Sequence, residues 1–110
     1  MGINMFEIEL FELEPGHEPF NDFLDAIKSY DDRARIQARL DRVEKGNLGD
    51  YVSVGDGVYE LRFFFGPGYR VYFGIEAKKI ILLLCGGDKR SQKKDIKQAK
   101  NYWQFYKEAK

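Results

Sequence analysis

From Tyr51 onward, glycine-bearing turns cut an apolar, aromatic-rich stretch into short segments, and no other feature restricts the fold of this chain as much. Gly55-Asp56-Gly57, Gly66-Pro67-Gly68 and Gly86-Gly87 punctuate the runs Tyr51–Val54, Val58–Phe65, Tyr69–Glu76 and Ile80–Cys85. Glycine admits the positive φ that tight hairpin turns require, so two consecutive hairpins follow from that punctuation. Ile80–Cys85 is apolar at every position, which suits a central strand covered at least in part on both sides.

The flanking segments carry other periods. Phe6, Ile8 and Leu10 alternate with Glu7 and Glu9 within Ile3–Glu14, the period of two of a half-buried strand, until Pro15-Gly16 breaks it. Phe20, Phe23, Leu24 and Ile27 then fall on one face of a helix. Asp31 or Asp32 is placed to cap a second helix, with Ile36, Leu40 and Val43 on its apolar stripe and Arg35, Arg39 and Arg42 outside it, free for solvent, phosphate or a partner. After Gly86-Gly87, helical spacing returns at Ile96, Ala99, Trp103 and Tyr106, as core or in part as a groove for a partner. The expected order is β-α-α-β-β-β-β-α in one α+β domain spanning residues 1–110, an antiparallel sheet with helices packed mainly on one face.

The longest apolar run, Ile80–Cys85, is far short of the roughly 20 residues of a membrane-spanning helix. The chain therefore reads as intracellular, with no membrane partner. Its single cysteine, Cys85, reads as a buried structural thiol, and with His17 cannot complete a zinc site. The formal charge is zero, yet residues 1–32 hold nine acidic and one basic side chain while residues 33–110 hold nine and seventeen, about −8 against +8. A basic surface on the later elements attracts phosphate chains or acidic proteins.

The second hairpin shows which side chains share a face. With a three-residue turn at Gly66-Pro67-Gly68, cross-strand partners have position numbers summing to 134, which sets Arg62 opposite Tyr72 and Phe64 opposite Arg70. Arg62, Arg70 and Tyr72 then share the face turned away from the core. Two readings fit: a phosphate site built on forked guanidinium donors, or strand residues held in ion pairs, with Glu60 as a partner. Lys89 and Arg90 add cations after the last strand, and His17 sits apart among acidic residues. RNA cleavage is chemically open to such a site without a metal or cofactor, because positioning and electrostatics can drive attack of a 2′-hydroxyl on its neighbouring phosphate.

Four segments occur in order: Gly46-Asn47-Leu48-Gly49-Asp50, Gly57-Val58-Tyr59-Glu60-Leu61-Arg62, Gly66-Pro67-Gly68-Tyr69-Arg70-Val71-Tyr72-Phe73 and Leu82-Leu83-Leu84-Cys85-Gly86-Gly87-Asp88-Lys89. Together they resemble the RelE/ParE toxin superfamily, in particular its HigB-like, phage-derived addiction module killer proteins. That resemblance implies a RelE-like fold and a cytoplasmic toxin of a type II toxin-antitoxin pair. The toxin would be a metal-independent, ribosome-dependent endoribonuclease acting on messenger RNA, held inactive by a small antitoxin, often of helix-turn-helix type. It also implies roles: Arg70 for transition-state phosphate charge, Arg62 for phosphate binding, Lys89 for phosphate charge or leaving-group protonation, and Tyr72 for base stacking or orientation; Arg90, beside Lys89, is a further candidate for substrate binding. RelE's lysine-rich segment before the hairpin is replaced here by Tyr51-Val52-Ser53-Val54, so no general base carries over. The superfamily also contains ParE-like gyrase inhibitors, and a non-catalytic antitoxin-binding module is the remaining alternative.

Overall fold

The computed structural model of the chain describes residues 5–110. Its elements are β1 (Glu7–Leu10), α1 (Pro19–Ala26), α2 (Tyr30–Glu44), β2 (Tyr51–Gly55), β3 (Val58–Arg62), β4 (Arg70–Glu76), β5 (Ile80–Gly87) and α3 (Gln92–Glu108), the expected order in an α+β fold. The strands form one five-stranded sheet in the order β1-β5-β4-β3-β2. All neighbours are antiparallel except β1, which runs parallel to β5. A strand there became parallel because the α1–α2 connection carries the chain across the sheet to its far edge before the meander β2–β5 returns to β1. No described helix is long and apolar enough to cross a membrane.

Strand β1 is shorter than its alternating pattern suggests. Ile3 lies outside the described residues, and the ladder ends soon after Leu10, with Phe11 N donating to Leu83 O at 2.9 Å. Beyond it, Leu13 N and His17 N close a turn around Pro15-Gly16. Helix α1 opens on Pro19, where a missing N–H costs nothing, and its last apolar residue, Ile27, caps it. Helix α2 is capped by Ser29 and not by either aspartate: Ser29 Oγ accepts from Asp32 N at 3.1 Å. Asp31 and Asp32 occupy the first turn instead, where the helix dipole favours acidic side chains.

The helices divide between the two faces. α1 and α2 bring Phe20, Ile36, Leu40 and Val43 against Leu61, Val71, Phe73, Ile81 and Leu83. α3 brings Ala99 and Trp103 against Val58, Tyr72, Leu82 and Leu84 on the opposite face. The face that carries Arg62, Arg70 and Tyr72 is therefore not turned away from the core, as its two arginines suggested; it is a second core that α3 covers. Strand β5 already contained that requirement, since alternate residues of a run apolar throughout must be buried on both sides. Expected and observed cores agree for Ile36, Leu40, Val43, Ala99 and Trp103, while Tyr106 is half-buried and stacks on Trp103 at 5.7 Å.

Glycines make room for the Trp103 indole. Asp56 (φ 57) and Gly57 (φ 82) form the two-residue turn between Gly55 and Val58, and a Cβ on Gly57 would stand 2.7 Å from Trp103 Nε1. On β4, a Cβ on Gly74 would stand 2.5 Å from Trp103 Cε3 and Cζ3. Gly74→Ala should therefore lower stability by about 1–3 kcal/mol, the range for overpacking a core, read as a reduced urea midpoint at unchanged m-value. Cys85 is buried beside Asp95, and burial first, then that carboxylate, pushes its thiol up to about 12. We expect Cys85 to resist a disulfide reagent at pH 8 in the folded protein and to react at once in denaturant.

Candidate functional site

The hairpin β3–β4 places its arginines differently from a three-residue turn. Arg62 pairs directly with Arg70, and Glu60 with Tyr72, so partner numbers sum to 132. The ladder stops at that pair, but Phe63 N donates to Tyr69 O at 3.0 Å, leaving a five-residue loop, Phe64–Gly68, in which Gly68 takes φ 78 and donates to Phe65 O. Tyr69 fixes the base of this loop by donating from its hydroxyl to Asp32 Oδ2 at 2.8 Å. Partners have shifted by two residues, which keeps every side chain on its expected face.

Two like charges directly opposite on a sheet destabilise it, and here each arginine has its own carboxylate. Asp50 meets Arg62 as a fork, Nε to Oδ2 at 2.9 Å and Nη2 to Oδ1 at 3.1 Å. Both side chains are 34% exposed, so water and ions reach the pair. The Arg62 hydrogen bond holds the Asp50 carboxyl below the usual carboxylate range, and Asp50 in turn raises the guanidinium. Arg70 sits deeper. Its side chain is 12% exposed, and its Nη1 lies 3.7 Å from Oε1 of Glu60, whose side chain is 2% exposed.

Glu60 is the centre of this network. Its Oε2 accepts from the Tyr72 hydroxyl at 3.0 Å and from Gln92 Nε2 at 2.8 Å. Oε1 is left facing Arg70, whose Nε is buried with no hydrogen-bond partner among the described residues. Tyr72 is 0% exposed, and burial together with Glu60 drives its phenol upward, so it remains a neutral donor. A base-stacking role for Tyr72 is thereby excluded: β4 aims it under α3, and its place is in the core.

The remaining sequence candidates lie at the same end of the sheet. Arg70 pairs with Gly87 across β4–β5. Lys89 follows two residues later and is exposed, its Cβ 3.4 Å from where a Cβ on Gly68 would stand. Arg90 is exposed as well, its backbone N–H held by Asp88 Oδ1 at 2.9 Å. Arg62, Arg70 and Lys89 are thus brought to one end of the β3–β4–β5 sheet, where the loop after β5 meets the hairpin loop. His17 is elsewhere, paired with Asp22 at 2.6 Å near the start of α1.

Sequence reasoning missed Asp50, Gln92 and Arg39. Asp50 had a signal, because pairing Tyr51 with Leu61 puts the preceding residue beside Arg62, and Arg62 N does donate to Asp50 O at 3.0 Å. Gln92 had none, since only the placement of α3 brings it to Glu60. Arg39 is neither solvated nor poised for a partner. Its guanidinium donates to the carbonyls of Leu48, Asp50 and Arg62 at 2.8–3.2 Å and lies over the Phe63 ring. Burial lowers its pKa from the ordinary arginine value. Among the described residues no three His, Cys, Asp or Glu side chains converge as metal ligands.

No family model matches the sequence. A protein of Haemophilus influenzae described only as uncharacterized is 49% identical over 81 residues, covering 74% of this chain and 82% of the relative.

Removing the Tyr72 hydroxyl tests the network without touching the ring. Hydrogen bonds to charged groups contribute about 1.5–3 kcal/mol, so Tyr72→Phe should fold normally by circular dichroism and lose about that much stability in urea. An unchanged midpoint would show that Glu60 does not depend on this donor.

Proposed function

We propose that this chain, which belongs to one family with the Haemophilus influenzae protein, is the toxin of a type II toxin-antitoxin pair and cuts messenger RNA on the ribosome. In this reading its fold is of the RelE-like, HigB-like kind, its place is the cytoplasm, and a small antitoxin, of helix-turn-helix type, holds it inactive. The observation that carries the reading is the convergence of Arg62 and Arg70, paired across one hairpin, with Lys89 beside that hairpin's loop.

The chemistry follows from those three cations. The 2′-hydroxyl gives up its proton to water, its oxygen attacks the adjacent phosphorus in line, the P–O5′ bond breaks, and the departing 5′-oxygen takes up a proton, leaving a 2′,3′-cyclic phosphate and a 5′-hydroxyl. Negative charge grows on the non-bridging oxygens, and preorganised cationic donors at that point lower the barrier. Arg62, the more exposed of the pair, binds the phosphate by exchanging its Asp50 fork for a phosphate fork. Arg70, held by Glu60 and 12% exposed, meets the transition-state charge with its guanidinium. Lys89, on the exposed loop, approaches the departing oxygen as charge or as proton source.

A specific observation supports a second reading. Both arginines are already matched by carboxylates, as they would be in a ParE-like gyrase inhibitor or a non-catalytic antitoxin-binding module that never needs a bare cation. The two readings separate in a cell-free bacterial translation extract, with messenger RNA ends mapped before and after adding protein. Arg70→Ala is a poor sole control, because it leaves Glu60 buried without its cation. Lys89→Ala and Arg70→Lys are better: the first alters an exposed side chain, and the second keeps the charge while losing the fork. Ribosome-dependent cleavage that drops about 10²-fold or more in each variant is the expected result. Intact message with unimpaired translation would overturn the endonuclease reading, cleavage indifferent to both substitutions would overturn the roles of Arg70 and Lys89, and DNA damage signalling without loss of translation would favour gyrase.

A further inference from the structure

Helix α2 and the β3–β4 loop enclose a second feature that the sheet-end site does not use. Between Arg35 and Arg42 on the helix and Phe63–Phe65 on the loop lies an open groove of about 340 Å³. Arg39 forms its floor and is spent on backbone carbonyls. Arg35 and Arg42 are exposed, and neither makes an ion pair among the described residues. The Arg35 guanidinium lies 3.9 Å over the Phe65 ring. Phe64, at 81% exposed, stands beside them with its ring in solvent.

We propose that this groove is a docking surface for single-stranded RNA, with a base stacked on Phe64 and phosphates taken by Arg35 and Arg42. Single-strand binders combine aromatic platforms with a cationic track, because every base has a π-face and every linkage a charge. Both parts are present here, on the basic side of a chain whose residues 33–110 carry about +8. Arg35 and Arg42 are seven residues apart on α2, about 10 Å along its axis. With a phosphate about every 3.4 Å of a stacked strand, the two bracket about three nucleotides. The charge selects an anion and the exposed ring a planar one; an acidic peptide would satisfy the first but offers no regular alternation of plane and charge. Because Arg39 donates to Arg62 O at 2.8 Å, the groove adjoins the hairpin that carries the sheet-end cations. The biological partner rests on the endonuclease reading, whereas binding itself needs no cleavage.

The test is fluorescence anisotropy of a labelled oligouridine with the full chain, the parent compared with Phe64→Ala, Arg42→Gln and Lys97→Gln on α3. Phe64 and Arg42 are exposed, so the variants should fold, as circular dichroism will check. We expect Phe64→Ala to weaken binding about tenfold or more. Arg42→Gln should lower the slope of log affinity against log salt by about 0.7, and Lys97→Gln should do neither. No binding by the parent, or folded Phe64→Ala and Arg42→Gln variants that bind as the parent does, overturns the proposal. So does a poly-glutamate peptide that displaces the RNA and itself needs Phe64, which would make the groove a protein-binding surface. A parent that binds RNA through Phe64 but leaves message intact sinks the endonuclease reading alone, and one that cleaves without dependence on Phe64 sinks this proposal alone.

Discussion

A carboxylate inside a sheet is the constraint around which the α3 side of this protein is arranged. Glu60 is almost wholly removed from water, and a polar group there is tolerable only when its oxygens meet partners inside the protein. Three side chains on two elements meet it: Arg70 as ion-pair partner and Tyr72 as donor, both on β4, and Gln92 as donor in the first turn of α3. Their convergence sets where α3 begins and keeps the Arg70 fork from wandering. The apolar part of the interface, Trp103 against Gly57 and Gly74, then fixes the remainder of the helix. Polar geometry at one end and close packing at the other leave α3 little freedom to slide.

Arg39 does comparable work on the opposite face. It joins the loop after α2 to the end of β3 by donating to the carbonyls of Leu48, Asp50 and Arg62. The hairpin loop is thus held from two sides, by Arg39 at its start and by Tyr69 on Asp32 at its end. Between those anchors Phe64 projects beside the α2 groove, and the backbone of Gly68 lies next to Lys89. A rigid base with an exposed tip is the usual way a fold carries a binding surface.

The sequence made the elements legible because their signals are local. Glycine turns marked the hairpins, the uniformly apolar β5 announced a central strand, and helical spacing located the core of α2 and α3. The grouping of side chains on the second hairpin also came out correctly, since a period of two survives a shift of two residues, but the arginine face proved to be covered by α3. What was misread depended on contacts distant in sequence. Asp31 and Asp32 looked like caps, but Ser29 has the N-cap geometry and they serve the first turn. Tyr72 looked like a surface aromatic because nothing near it in the chain reveals that α3 lies above it. Arg39 looked solvated because its acceptors are backbone carbonyls, which have no letter in the sequence.

By itself, then, the sequence determined the order of elements, which residues of β1 and of the second hairpin share a face, and the collection of cations on β3, β4 and the segment after β5, since each follows from local backbone preferences and the alternation of side chains along a strand. Only the tertiary structure decided which cations are accessible. Burial and ion pairing are properties of surfaces brought together from across the chain. They separate Arg62, partly open on Asp50, from Arg70, held by buried Glu60, and Arg39, spent on carbonyls, from Arg35 and Arg42, left facing an open groove.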